Sequence, residues 1–138
     1  MAKAKSVWLT SAGKPSNFKC EETACKCGCG KNEMQQDIID VAQAIREAVG
    51  KPLKVTSGYR CKEHNKKIGG SSTSYHLKGE GIDLVCPSLS GKELFAVADK
   101  VEGADGLIWY EGQRNIHVDT RGTKLRLEKT REGFYVPA

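Results

Sequence analysis

The run Leu107-Ile108-Trp109-Tyr110-Glu111-Gly112-Gln113-Arg114-Asn115-Ile116-His117-Val118-Asp119 decides how the chain is read. Two short β-branched and aromatic stretches flank a polar turn containing glycine, the pattern of a β-hairpin. On its second strand, His117 and Asp119 leave one face while Ile116 and Val118 leave the other, toward a core. Working upstream, Ser90 with Glu93 forms a capping box that opens a helix carrying Leu94, Phe95, Val97, Ala98 and Val101. Gly81-Ile82-Asp83-Leu84-Val85 and Leu53-Lys54-Val55-Thr56-Ser57 read as two more strands. Cys61 to Ile68 reads as a short helix, and Gly69 to Ser74 as a flexible loop. Met34, Ile38, Val41, Ala42, Ile45 and Val49 recur at helical spacing; Asn32 is the expected cap, and Gly50-Lys51-Pro52 the stop. Residues 1–31 read as irregular and rich in cysteine and glycine, and 121–138 as a charged tail. The helix–strand mixture with a hairpin predicts an α+β fold: a small, mostly antiparallel sheet with helices packed on it.

The 138 residues suit one domain over 1–138. Hydrophobic residues at 38% and charged residues at 28% exclude a disordered chain. The net charge of +5 favours an anionic partner such as nucleic acid, anionic lipid or a cell-wall polymer. No basic stripe with interleaved aromatics is present, so a specific nucleic-acid partner is not expected. No stretch reaches the roughly 18 apolar residues of a membrane span. The start, Met1 to Thr10, has two lysines but no apolar stretch typical of a secretory signal. The expectation is a protein made in the cytoplasm, monomeric, and delivered by other means if it acts outside. The cysteines are Cys20, Cys25, Cys27, Cys29, Cys61 and Cys86. Four thiols within ten residues leave three states open: reduced, disulfide-bonded, or holding a structural zinc.

Of three histidines, His64 sits among Lys62, Lys66 and Lys67, which reads as a solvated basic face. The other two stand near carboxylates. Imidazole and carboxylate suit Zn²⁺, whose catalytic sites keep three protein ligands and an open position. His76, Asp83 and His117 supply such a set, on the sheet face left open by the helices.

Ser74-Tyr75-His76-Leu77-Lys78-Gly79-Glu80-Gly81-Ile82-Asp83 follows the pattern Ser-x-His-x-x-Gly-x-small-x-Asp. It resembles the signature of zinc D-Ala-D-Ala carboxypeptidases and L-alanyl-D-glutamate endopeptidases, peptidoglycan enzymes of the Hedgehog-type zinc peptidase fold. Thr56-Ser57-Gly58-Tyr59-Arg60 resembles the family's upstream segment, and Asn115-Ile116-His117-Val118-Asp119 its closing strand. The resemblance runs from about Phe18 to Thr120. It implies zinc at His76, Asp83 and His117, and a substrate-binding, charge-stabilising role for Arg60. Ser74 either binds near the metal or turns the loop.

Several relatives place an acid three residues before the last histidine; here that position is Arg114, which cannot accept a proton. Two carboxylates remain as general base. Glu111 is favoured, from the hairpin turn; Asp119 serves either as base or as a group that orients a ligand. The expected function is zinc-dependent hydrolysis of a stem-peptide bond in peptidoglycan, as in a phage or prophage endolysin. The alternative is a metal-binding but inactive wall-recognition or phage structural module.

Overall fold

The computed structural model describes residues 6–138. The lysine-bearing start, Met1 to Lys5, on which part of the signal-sequence reading rests, lies outside the described residues. Strands β1 (Val7–Leu9) and β2 (Pro15–Lys19) form an antiparallel pair. A 3₁₀ turn (Cys20–Thr23) and the cysteine loop lead to helix α1 (Gln36–Val49). Then come β3 (Lys54–Ser57), α2 (Lys62–Lys67), a second 3₁₀ turn (Tyr75–Lys78), β4 (Gly81–Val85) and α3 (Gly91–Ala98). Strands β5 (Gly106–Tyr110), β6 (Ile116–Asp119), β7 (Leu125–Lys129) and β8 (Tyr135–Pro137) complete the chain.

The main sheet has the order β3-β4-β6-β5-β7-β8. Every pairing is antiparallel except β5 with β7, which is parallel. The α+β expectation holds. Ile82, Leu84, Leu107, Ile116 and Val118 are fully buried on one face, in a core shared with Ile38, Ala42 and Ile45 of α1 and Leu94 and Ala98 of α3. Ser90 caps α3 with Glu93 as expected: its hydroxyl accepts from Glu93 N at 3.1 Å while the Glu93 carboxylate accepts from Ser90 N at 2.8 Å.

Three expectations need correction. The first 31 residues are not all irregular, since β1 and β2 lie there. The charged tail from 121 onward contains β7 and β8, which extend the sheet beyond β5. Asn32 does not cap α1; Gln35 occupies that position. The Asn32 amide is engaged elsewhere, donating to the Cys20 carbonyl at 2.7 Å and accepting from the Thr23 hydroxyl at 2.8 Å. The Gly79 carbonyl accepts from Gln35 N at 2.9 Å and sets the helix start.

Candidate metal centre

The sheet register assembles the site. Asp83 of β4 is paired with His117 of β6, and His117 with Ile108 of β5. Alternation sends Asp83 and His117 away from the core that Ile82, Leu84, Ile116 and Val118 fill. His76 arrives from the 3₁₀ turn, whose N-cap, Ser74, accepts a hydrogen bond from His76 N at 3.2 Å. One donor atom from each of His76, Asp83 and His117 lies within 4.8 Å of the others, and all three side chains are buried.

Hydrogen bonds set the ring orientations. His76 Nδ1 donates to the Gly58 carbonyl at 2.7 Å, so in the neutral ring Nε2 is a bare lone pair. That lone pair faces Asp83 Oδ1 at 3.1 Å. Two acceptors pointed at one another are unfavourable unless a cation lies between them. His117 Nε2 donates to Asp119 Oδ2 at 2.7 Å, turning Nδ1 toward the same Asp83 oxygen at 3.0 Å. The donor set, N, O and N with both outer nitrogens anchored, therefore fits a divalent metal. Burial pushes the Asp83 carboxyl up, but the His117 and His76 rings beside it outweigh this and hold it well below the usual carboxylate range. Burial pulls His117 down, yet its bonds to Asp119 and Asp83 raise it to about 9.

Asp119 is fully buried, and both its oxygens are occupied. Oδ1 accepts from Gly106 N at 3.1 Å and Arg121 Nε at 2.8 Å; Oδ2 accepts from Arg121 Nη2 at 2.7 Å as well as from His117. Gly106 makes this possible, because a Cβ there would collide with the carboxylate. Burial raises the Asp119 carboxyl, and the Arg121 and His117 bonds outweigh it, holding it below its usual range.

Arg60 reaches the centre through a fan of contacts. Nε donates to Ser57 Oγ at 3.1 Å, Nη1 to Asn65 Oδ1 at 3.2 Å, and Nη2 lies 3.7 Å from Asp83 Oδ2. Two lobes of a cleft meet over the site, sharing Asp83, Tyr110 and Lys129. The smaller, about 430 Å³, is lined by Arg60, Ser74, His76 and His117; the larger, about 730 Å³, by Glu111 and Arg131. Glu111 is exposed, and its Oε1 accepts from Arg131 N at 2.9 Å. It shares the larger lobe with Asp83 but makes no bond to the histidines. Arg114 points elsewhere, donating to the Leu89 carbonyl at 2.8 Å. His64 belongs to no metal-holding group among the described residues.

A family model for peptidase M15 matches residues 13–119. The chain belongs to the peptidase M15 family. No curated protein matches the sequence. Membership makes the chain a metallopeptidase, and His76, Asp83 and His117 form the group in the cleft able to hold its metal. No helix among the described residues is long and apolar enough to cross a membrane.

Sequence reasoning missed Tyr110 and Arg121. Tyr110 lines both lobes, and burial first, then the charge of Asp83, raise its phenol well above the ordinary value. It therefore remains a donor in the cleft. Alternation would have found it, since Tyr110 lies two residues beyond Ile108, the cross-strand partner of His117. Arg121 needed the fold, because its partner Asp119 also reads as a group facing the metal.

Proposed function

We propose that this protein is a zinc peptidase that hydrolyses a peptide bond in the stem peptide of bacterial peptidoglycan. The observation that carries the proposal is the convergence of His76 Nε2, Asp83 Oδ1 and His117 Nδ1 at the base of an open cleft, with each imidazole anchored from behind. The basic lining, Arg60, Lys129 and Arg131, suits a substrate carrying carboxylates. The motif resemblance supplies the stem peptide as that substrate.

Zinc held by the three side chains would supply a Lewis acid that activates water and polarises the scissile carbonyl. The protein's residues do the rest. Glu111 takes a proton from the attacking water and returns it to the leaving amine; it lines the cleft and its second oxygen, Oε2, is unengaged by Arg131 N. Asp119 orients His117, a role favoured by the complete set of donors around its carboxylate. Arg60 holds a substrate carboxylate or the developing negative charge, and Tyr110 offers a second donor to it. Ser74 turns the loop that delivers His76.

The second reading, a metal-binding wall-recognition or phage structural module without activity, is favoured by Arg114 standing where relatives carry an acid. Purified peptidoglycan separates the two. The peptidase releases new amino groups in proportion to its zinc content, and the masses of the products identify the bond cut. A zinc-loaded protein that binds the wall and releases no amino groups is the inactive module. Release of amino groups from inside infected or prophage-carrying cells only after membrane permeabilisation supports the endolysin role.

A further inference from the structure

Cys25, Cys27, Cys29 and Cys61 line neither lobe of the cleft, yet one sulfur from each lies within 4.8 Å of the others. All are free thiols. The separations Cys25–Cys27, Cys25–Cys61 and Cys27–Cys61 are 3.4, 3.6 and 3.6 Å. Four thiolates at the usual Zn–S distance of about 2.3 Å stand about 3.8 Å apart at the corners of a tetrahedron. A disulfide joins two sulfurs at about 2.0 Å and leaves the remaining two unused. Three near-equal separations with a fourth sulfur close by match a shared ion, not a pair.

The backbone is arranged to receive it. Cys61 N donates to Cys25 Sγ at 3.4 Å, and His64 N donates to Cys61 Sγ at 3.4 Å, the kind of outer bond that stabilises a thiolate ligand. Gly28 and Gly30 adopt φ of +85° and +83° and turn the chain, so that alternate cysteines converge instead of spreading along an extended strand. Cys25 N donates to the Lys31 carbonyl at 2.9 Å and closes the loop. Cys20 and Cys86 stand outside this group.

We propose that Cys25, Cys27, Cys29 and Cys61 form a second, structural zinc site that ties the N-terminal loop to the segment carrying Arg60. Each thiol gives its proton to solvent as the ion binds. The consequence reaches the cleft through the backbone. Tyr59 N donates to the Thr23 carbonyl at 2.8 Å, and the Gly58 carbonyl holds His76 Nδ1. An ion bridging Cys25 to Cys61 spans this same junction and fixes Gly58 to Arg60 against Thr23. The site stands whether or not the cleft cleaves peptide.

The test uses the full chain carrying His76→Ala and His117→Ala, purified reduced and loaded with Co²⁺. The expected result is one bound equivalent with intense thiolate-to-cobalt charge-transfer bands and the visible bands of tetrahedral cobalt, both removed by added zinc. Wild type should bind two equivalents, one of them with these sulfur bands, so the result does not depend on the double variant folding. Cys27→Ser, at an exposed position, should lose the tetrahedral four-sulfur spectrum. Wild type without sulfur bands, or a native mass showing a disulfide between any two of the four cysteines in freshly isolated protein, would overturn the proposal.

Discussion

Asp119 and Glu111 carry the same functional group in opposite circumstances. Asp119 is sealed in, its oxygens accepting from His117, Arg121 and Gly106. Glu111 stands exposed at the rim with Arg131 N as its partner. Asp119→Asn should therefore weaken metal binding about 10–100-fold, with activity falling alongside it, because the amide NH2 would face donors at whichever oxygen position it takes: Gly106 N and Arg121 Nε on one side, His117 Nε2 and Arg121 Nη2 on the other. Glu111→Gln should keep a full metal equivalent and lose about 10²–10⁴-fold in turnover. Wild-type turnover by Glu111→Gln would remove it as the base. At Arg60, lysine keeps the charge but cannot span Ser57, Asn65 and Asp83 at once. Arg60→Lys should lower activity with metal content unchanged; loss of metal as well would make Arg60 a structural residue. His76, Asp83 and His117 stood out in the sequence as histidines near carboxylates, but the spacings alone were weak, and their choice as a ligand set rested on the resemblance to the family's ordered motifs. The division of labour between the two carboxylates was not legible, because it depends on Gly106 and Arg121, neither of which advertises a role in sequence.

Elements read well where the signal was local. The β4 pattern, the α3 capping box and the glycine stop of α1 are each set within a few residues. The parallel β5–β7 pairing was not legible, because it joins segments across the β6 hairpin and the short β7 carries Arg126, Glu128 and Lys129 among its two leucines. The start of α1 failed for a related reason: Asn32 has good capping chemistry, but Cys20 and Thr23 claim it. The junction between the 3₁₀ turn and the β3–α2 connection also depends on tertiary contact. A Cβ on Gly58 would stand 2.5 Å from the Thr23 carbonyl oxygen, backbone that cannot swing away. Gly58→Ala should destabilise the fold by about 1–3 kcal/mol, read as a lower urea midpoint, and should reduce metal retention by moving the carbonyl that anchors His76. An unchanged midpoint would show that Thr23 yields freely.

At the scale of the whole molecule, the sheet separates two tasks. One face, with Ile82, Leu84, Leu107, Ile116 and Val118, packs on α1 and α3 and supplies the burial. The other presents His117 and Asp83 to the cleft, where His76 and Arg60 join them. Buried apolar packing on the first face does not pass through the metal-facing side chains, so removing a cleft ligand should leave the secondary structure standing. That separation allows a clean comparison of wild type with His76→Ala, each loaded with zinc and incubated with purified peptidoglycan, by the rate at which new amino groups appear. The account predicts steady release by wild type and release at the no-enzyme rate by His76→Ala, with matching circular dichroism. Equal release by the two proteins, or none by fully zinc-loaded wild type, would contradict it.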